Sequence, residues 1–258
     1  MSASTILSAL GMAAGKVIVK KATESLLDNK DNIYTYLQSN FTKIKDEDVR
    51  FSISYLIRIK IPDSSKYLLV RGHRIPDQFQ PVGGVYKKSN GFSEFEKWGY
   101  KEDSASKGVK SDSISKDDLR FRIKGKHTLD VIKWFESRKN RETTYHREFA
   151  EELIIDHGFD TSIYSAEKLN FREVQQVMKV FNYSTFHSCY EVLIYDIVEL
   201  IPTPEQGEEL KKLLNKSRSR ENDLMVVDIS EIEQLRVMEN EEQIAKIGEH
   251  TKYLINEK

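Results

Sequence analysis

The N-terminal part of the chain carries the longest apolar tract, and its spacing is helical. Apolar residues recur three or four positions apart, at Ile6, Leu10, Ala13 and Val17. This period predicts an amphipathic helix over residues 4–27. The tract is shorter than the ~20 residues that a membrane-spanning helix needs, and positive charge follows it, so we expect neither a membrane span nor export. Within an extension over residues 1–48, the helix would dock on its own domain, mediate self-association or partner binding, or lie on a membrane surface.

From Phe51 onward, alternating and β-branched positions indicate strands. Two such runs, over 51–61 and 66–71, are separated by a turn sequence at 62–65, and together they predict a β-hairpin. Gly83 and Gly84 follow at the end of a short extended run. Paired glycines suit a backbone that turns sharply or that a ligand approaches closely.

The rest of the chain alternates irregularly between strand and helix patterns. Residues 87–117 are polar and predict a surface insertion, which we extend to about 87–140. The later predicted elements are a strand at 119–124, helices from Thr128 and over 144–155, a strand at 190–200, a helix at 204–214, a strand at 224–229 and two C-terminal helices capped by Ser230 and Asn240. Without a regular βαβ repeat, this order predicts an α+β fold with a mixed sheet between helices, over residues 49–258.

The charge balance narrows the classes of function. The 258 residues include 40 lysines and arginines against 41 aspartates and glutamates, and the net charge is −1. This balance gives no strong nucleic-acid signal and no polybasic membrane signal. Cys189 is the single cysteine, so an intramolecular disulfide is excluded and a reducing compartment is suitable. We therefore expect a cytoplasmic protein.

The segment Arg147–Leu153 carries the most informative chemistry. On a helix, Glu148, Glu151 and Glu152 lie at positions i, i+3 and i+4 and share one face. Two unit charges 4 Å apart repel by about 4 kcal/mol at an effective dielectric of 20, so the cluster needs a counter-charge. Mg²⁺ or Mn²⁺ would supply it through oxygen ligands, and Arg147 would supply part of it. The alternative is an ordinary solvated face of an amphipathic helix.

At these residues the chain resembles the Nudix hydrolases. Their signature is a glycine, five residues, a glutamate, seven residues and then Arg-Glu-hydrophobic-any-Glu-Glu. Residues 147–152 match its second half, and Gly84 with Gly83 looks like its opening. The chain departs from this signature at two places: a long insertion separates Gly84 from Arg147, and Lys139 occupies the register of the first glutamate.

A divergent subfamily is more similar, the SMODS-associated NUDIX domains of bacterial antiphage defence systems. The similarity lies in the insertion and in three segments, 118–126, 134–142 and 146–153. It implies a Nudix-like fold and an antiviral effector that cleaves a diphosphate linkage in a nucleotide or nucleotide derivative. The alternative is a catalytically impaired sensor of a nucleotide or cyclic oligonucleotide signal, which Lys139 favours and the intact glutamate triplet does not.

The resemblance also implies roles for individual residues. Glu151 and Glu152, with Glu148 and the Gly84 carbonyl, would bind Mg²⁺ or Mn²⁺. Glu148 would act as a ligand or as the general base, and Arg147 would orient the carboxylates. These assignments form the predicted catalytic and metal-binding set.

Basic residues at strand positions are candidates for substrate binding. Arg71 ends a strand close to the glycine pair, and Arg120 and Arg122 lie on one face of another strand. Guanidinium groups are well suited to phosphate. Each of these side chains has a simpler alternative as part of a solvated surface.

Overall fold

The computed structural model describes most of the chain from residue 30 onward. The described residues are 30–72, 75–89, 93–103 and 117–255. The helix predicted over 4–27, and with it the predicted self-association, lies outside them. None of the helices in these described ranges has the length and apolar content needed to span a bilayer.

The described residues form two sheets and several helices. The strands are β1 (Asp48–Arg58), β2 (Tyr67–Arg71), β3 (Gln78–Gln80), β4 (Val82–Val85), β5 (Lys101–Glu102), β6 (Arg120–Lys124), β7 (Phe171–Ser184), β8 (Cys189–Leu200), β9 (Leu224–Val227), β10 (Arg236–Glu239) and β11 (Glu242–Ile247). The α-helices are α1 (Lys30–Phe41), α2 (Glu94–Lys97), α3 (Thr128–Glu136), α4 (His146–Phe149), α5 (Pro204–Lys212) and α6 (Ile229–Gln234). A π-helical turn, Ala150–Ile155, continues α4.

The first sheet is built around β1. Its order is β5-β6-β1-β8-β7, and β4 pairs with the second half of β1 on the same side as β6. The β1–β8 pair is parallel and the others are antiparallel. Phe51, Ile53, Tyr55 and Ile57 are fully buried on one face of β1. This mixed arrangement confirms the predicted α+β class.

The second sheet has the order β10-β11-β3-β2-β9. The predicted hairpin over 51–71 is confirmed only beside its turn, where the Leu68 amide donates to the Ile59 carbonyl and the Ile61 amide to the Lys66 carbonyl, both at 2.9 Å. Farther from the turn, β1 and β2 belong to different sheets. They meet at a bridge between Lys60 and Tyr67, just beyond the end of β1. Both edges of β1 are already paired, with β8 on one side and with β4 and β6 on the other, so β2 pairs elsewhere.

The C-terminal region differs from the sequence prediction in two places. Helix α6 is capped by Asp228 rather than Ser230, because the Asp228 carboxylate accepts a hydrogen bond from the Glu231 amide at 2.9 Å. The helix predicted after Asn240 is a hairpin of β10 and β11. Asn240 and Glu241 form its turn with φ angles of 49° and 66°, which are typical of tight hairpin turns.

Two further features were not expected from the sequence. Strand β7 was missed; it pairs antiparallel with β8 along its length and is an edge strand. The predicted insertion also contributes to the core, since Phe95 and Trp98 are buried. Residues 104–116 of the insertion lie outside the described part of the chain.

Candidate active site

Helix α4 and the π-helical turn that follows it carry the glutamate triplet. The wide turn is shown by the Asp156 amide, which donates to the Glu151 carbonyl five residues earlier, at 3.1 Å. Buried Phe149 and Leu153 fix this segment against the core. Single π-helical turns often occur at functional sites. Here the turn directs Glu148 and Glu152 inward, while the Glu151 side chain remains 48% exposed.

The glycine pair of β4 lies directly against these glutamates. The Gly83 amide donates to Glu152 Oε2 at 2.9 Å. A Cβ atom on Gly84 would lie 1.9 Å from Glu148 Oε1, so the Glu148 carboxylate occupies the space that any other residue would fill. At Gly83, φ is 148° and a Cβ atom would lie 2.2 Å from the Tyr55 carbonyl oxygen. The structure therefore brings together the two halves of the motif that the insertion separates.

Arg147 connects the carboxylates with one another. Its guanidinium donates to Glu148 Oε1 at 2.6 Å, to Glu151 Oε2 at 3.3 Å and to the Val85 carbonyl at 2.8 Å. It also forms two hydrogen bonds of 3.1 Å with the carboxylate of Glu142. This two-point contact fixes the plane of the guanidinium. We call Glu142, Arg147, Glu148, Glu151 and Glu152 the carboxylate site.

Sequence analysis gave no role to Glu142, which follows the motif register at Lys139. In the structure its carboxylate accepts from Arg147 and from the Lys87 amide, the latter at 3.2 Å. The segment before Arg147 pairs with residues after β4, through a bridge between Lys88 and Arg141. This pairing sets the position of Glu142, so counting along the sequence across the insertion could not identify it.

Lys139, which occupies the motif register, does not take part in this network. It lies between Arg138 and Asn140, whose φ angles are 59° and 57°, and its side chain is exposed. Its amide donates to Ser137 Oγ at 3.4 Å. The turn therefore directs the backbone away from the carboxylate site at this residue and returns it at Glu142.

Burial shifts the pKa of two of the glutamates. Burial raises the pKa of Glu152 to about 8, although the hydrogen bond from Gly83 opposes the change. Burial also raises the pKa of Glu148, and the neighbouring charge of Arg147 opposes it. For Arg147, burial lowers the pKa, but Glu142 and Glu148 outweigh this effect and the pKa is raised. The guanidinium of Arg147 thus does not fully offset the cost of ionising Glu148 and Glu152 in their buried positions.

Tyr55 links the carboxylate site to the sheet. Its hydroxyl oxygen accepts a hydrogen bond from the Glu148 amide at 3.3 Å, which satisfies one of the free amides at the start of the helix. Tyr55 is fully buried, and its Cα atom pairs with that of Gly84. Sequence reasoning assigned it to a strand and gave it no role. What identifies Tyr55 is its position on β1, opposite the glycine pair.

The predicted substrate-binding arginines are placed elsewhere. Arg71 lies over the ring of Phe79 and donates to Asp223 at 3.1 Å and to the Asn222 carbonyl at 2.7 Å. Arg120 and Arg122 extend from the face of the first sheet opposite Tyr55, because they pair in register with Ser52 and Arg50. The structure does not bring these two arginines together with the glutamates, and their role in substrate binding remains a prediction.

Arg122 belongs to a compact ionic group on that opposite face. Arg50 contacts Asp103 at 2.6 Å and Glu191 at 2.7 Å, and Arg122 contacts Asp103 at 3.1 Å. Burial raises the pKa of Asp103, but Arg50 and Arg122 outweigh this effect and lower it. We call Arg50, Asp103, Arg122 and Glu191 the arginine face.

The donor atoms of the carboxylate site fit a hard divalent cation. Carboxylate oxygens and a backbone carbonyl are the ligands that Mg²⁺ prefers. Burial raises the pKa of Glu148 and Glu152, because their protein partners only partly offset the cost of ionisation. Within the described ranges, however, no three His, Cys, Asp or Glu side chains are arranged to hold a metal ion. The chemistry of the donors fits the metal, while their present positions do not form a closed cage.

The α+β fold, the glycine pair and the helix with its three glutamates together define a Nudix-type domain. Comparison with protein families identifies the particular family: residues 48–255 match the SMODS-associated NUDIX domain. The chain belongs to this family, which is a kind of Nudix domain found in antiphage systems. A search of curated proteins and a search of solved structures each give no match. Membership supports a hydrolase or a nucleotide-related function.

Proposed function

We propose that this domain is a metal-dependent hydrolase that cleaves a diphosphate linkage in a nucleotide or nucleotide derivative. The observation that carries the proposal is the contact between the two halves of the motif. Glu152 accepts from the Gly83 amide, and Glu148 fills the space left by the missing side chain of Gly84. A surface helix with solvated glutamates would not need such a fit.

Four groups of the chain would hold the metal, as the family resemblance implies: the carboxylates of Glu148, Glu151 and Glu152 and the carbonyl of Gly84. A divalent cation bound there would polarise a phosphoryl oxygen and offset the charge of the diphosphate. Mg²⁺ is the first choice because it is commonly shared between one or two carboxylates and substrate phosphates, and Mn²⁺ suits the same donors.

The protein groups around the metal would position and exchange protons. Arg147 holds Glu148 and Glu151 in place, and Glu142 holds Arg147. Glu148 would take a proton from the attacking water or serve as a ligand, since its raised pKa lies closer to neutrality than that of a free glutamate. Glu152 is the more buried donor and would lose its proton when the cation binds.

The test is metal-dependent product formation. The purified chain is incubated with nucleoside triphosphates, dinucleotides with a diphosphate bridge, nucleotide sugars and cyclic dinucleotides, with Mg²⁺ or Mn²⁺ and then with chelator. We expect cleavage of a diphosphate linkage in at least one compound, and its loss with chelator and in Glu152→Gln. Absence of product from every compound, with the metal present, would contradict the hydrolase assignment.

A second candidate is a nucleotide sensor with the same fold. Two observations favour it: Lys139 stands at the motif register, and no closed metal cage is formed among the described side chains. Binding of a nucleotide or cyclic oligonucleotide without turnover, at the same affinity with chelator as with Mg²⁺, would identify the sensor. The position of Glu142 favours the hydrolase, because it supplies Arg147 with the carboxylate that Lys139 does not.

For the biological setting, the proposal rests on family membership alone. A cytoplasmic antiviral effector that depletes or modifies nucleotides is consistent with a domain of this kind, and its ligand would be a small nucleotide-derived molecule. Infection of cells that carry the wild-type or Glu152→Gln protein in its native gene context would test this role. We expect protection against phage to be lost in the variant.

A further inference from the structure

Arg141 joins the insertion to the carboxylate site. Its side chain is buried, and only 7% of the residue is exposed. Its Nε donates to the Phe135 carbonyl at 2.9 Å, and its Nη1 donates to the Glu142 carbonyl at 2.7 Å. Phe135 lies in the last turn of α3, within the insertion, whereas Glu142 belongs to the carboxylate site. One guanidinium therefore bridges the end of the insertion and the carboxylate site.

Two buried aromatic rings hold this guanidinium in place. It lies 3.8 Å from the centre of the Phe135 ring and 5.0 Å from that of the Tyr86 ring. A guanidinium is planar and stacks on aromatic faces, whereas the ammonium of a lysine is a compact point charge. The rings and the two carbonyls therefore make this position specific for arginine.

The loop between α3 and Glu142 depends on its anchors. Arg138 and Asn140 have φ angles of 59° and 57°, in the left-handed region that residues other than glycine rarely adopt. Such residues persist where the surrounding structure fixes them. Glu142 is held at its amide, which donates to the Lys87 carbonyl at 2.8 Å, and at its carbonyl, which accepts from Arg141. Arg141 thus supplies one of the two backbone anchors of Glu142.

The backbone of Glu142 sets the place of its carboxylate. That carboxylate forms two hydrogen bonds of 3.1 Å with Arg147, which contacts Glu148 at 2.6 Å and Glu151 at 3.3 Å. Within the described ranges, Arg141 donates to none of these carboxylates. A shift of Glu142 would nevertheless reach them through Arg147, and a displacement of about 1 Å in an active site can lower turnover about a hundredfold.

We propose that Arg141 is a positioning residue of the carboxylate site: it fixes the backbone of Glu142, and Glu142 orients Arg147. The proposal rests on the proposed function, because it concerns turnover at the same site, and it adds a residue that lies outside that site. It also gives the insertion a role. The segment that separates the two halves of the motif supplies, through Phe135, an anchor for the glutamate that holds Arg147.

Arg141→Lys is the first test. Lysine keeps the positive charge, but it cannot lie flat against the rings and donate from two fixed nitrogens. We expect kcat to fall by about tenfold, with KM within about twofold, since Lys87 still holds the Glu142 amide. Arg50→Lys is the matched control, because Arg50 is also buried, with 8% exposed, and belongs to the arginine face. Equal kcat values in the two variants would overturn the proposal.

Phe135→Leu provides a second comparison if Arg141→Lys does not fold. It removes the ring on which Arg141 stacks and leaves the backbone carbonyl in place. Its control is Phe121→Leu, because Phe121 is an equally buried member of the same core that lies on β6. We expect kcat to fall about fivefold in Phe135→Leu and less than about twofold in Phe121→Leu. The same kcat in both would contradict positioning by Arg141.

Arg141→Lys made in the Glu142→Gln chain separates positioning from other roles. If Arg141 acts through the Glu142 carboxylate, its replacement should lower kcat by less than about twofold in this background, against about tenfold in the wild type. A substrate-binding Arg141 would instead raise KM in both backgrounds. A purely structural Arg141 would lower the melting temperature in both and would change kcat by the same factor in both. Either of these results would reject the positioning role.

Proton exchange at Arg147 measures the same positioning without turnover. Its Nε donates to Glu142 Oε1 at 3.1 Å, so the Hε proton should be protected from solvent, and NMR of the full chain labelled with nitrogen-15 arginine measures its exchange. We expect exchange about tenfold faster in Arg141→Lys and within about twofold of the wild type in Arg50→Lys. Faster exchange in Arg141→Lys, without cleavage of any compound in Mg²⁺, would support positioning and contradict the hydrolase. Equal exchange in the two variants, with metal-dependent cleavage, would support the hydrolase and contradict positioning.

Discussion

The carboxylate site and the arginine face lie on opposite faces of β1 and differ in their balance of charge. In the carboxylate site, three of the four glutamates contact one guanidinium, and Glu152 has only the Gly83 amide as a polar partner among the contacts described above. On the arginine face, two guanidinium groups meet two carboxylates at distances of 2.6 to 3.1 Å.

This is the difference expected between the proposed site for chemistry and a structural ion-pair network. Balanced charges satisfy each other and hold strands together, and they leave little to attract a ligand. An excess of buried negative charge is unstable by itself, and it is retained where a cation binds. The raised pKa values of Glu148 and Glu152, against the lowered pKa of Asp103, express the same contrast.

The largest effect is expected from Glu152→Gln. Glutamine can still accept the Gly83 amide, so the fold should survive, but it cannot supply a negative ligand. We expect turnover to fall by about a thousandfold or more, while the melting temperature in chelator stays the same or rises. Product formation and thermal unfolding measure the two effects. Glu167→Gln, at an exposed position, is the control; a Glu152→Gln enzyme as active as this control would remove Glu152 from the active site.

Gly84→Ala tests the contact between the two halves of the motif. The new methyl group would lie 1.9 Å from Glu148 Oε1, so the helix or β4 must shift. We expect activity to fall by at least about a hundredfold and stability by about 1–3 kcal/mol in urea unfolding. Gly207→Ala is the control, because its methyl group would meet the Pro62 side chain at an ordinary 3.4 Å. If the two variants behaved alike, Gly84 and Glu148 would not be in contact.

Glu142→Gln tests whether this residue replaces the missing motif glutamate. Glutamine cannot pair with both nitrogens of Arg147 as an anion, so Arg147 and the glutamates that it holds become less well placed. We expect kcat to fall by about 10- to 100-fold with little change in KM. Lys139→Gln is the matched variant and should change kcat by less than about twofold. The reverse order of effects would return the motif role to position 139.

The raised pKa of Glu152 predicts how stability depends on pH. The native state holds the proton up to a pKa of about 8, whereas the usual value is 4.5. Between these values the unfolded chain binds fewer protons, so the stability of the metal-free protein should fall as pH rises from about 4.5 to 8, by at most about 1.4 kcal/mol per pH unit. Urea unfolding in chelator measures this slope.

Metal should reverse that loss. Mg²⁺ binds the deprotonated carboxylate, so it should raise the melting temperature of the wild type more at pH 8 than at pH 6. In Glu152→Gln both the pH slope and this Mg²⁺ effect should be smaller. A metal-free wild type whose stability rises through this range would contradict the assigned environment of Glu152.

The sequence was informative wherever the signal is local. The helix at 144–155 and strand β8 follow from hydrophobic spacing, and the Arg147–Glu152 motif follows from residue types at helical intervals. Strand β7 was missed because Arg, Glu, Gln and Lys interrupt its apolar positions, and its strand conformation depends on pairing with β8. The final hairpin was missed because two consecutive left-handed residues, Asn240 and Glu241, are not evident from a capping pattern.

The position of Glu142 shows the same limit within the site. Its distance along the sequence from Gly84 is set by an insertion, whereas its place in space is set by the pairing of residues 87–89 with 140–142. Counting residues along the sequence therefore led to Lys139, although a glutamate, as in the motif, is present at position 142. The split of β1 and β2 into two sheets has a similar cause, since partners distant in sequence decide which edges are free.

The smallest effect is expected from Arg122→Ala, and it returns to the contrast between the two faces. The sequence made Arg120 and Arg122 candidates for substrate binding, with a solvated sheet face as the alternative. In the structure, Arg122 shares Asp103 with Arg50 on the face away from the glutamates. If this face is structural, Arg122→Ala should lower stability by about 1 kcal/mol and leave KM within about twofold. Arg120→Ala, next to the network, should change both quantities less. A KM that rises several-fold in both variants, at unchanged stability, would show that charge balance does not separate binding surfaces from structural ones in this protein.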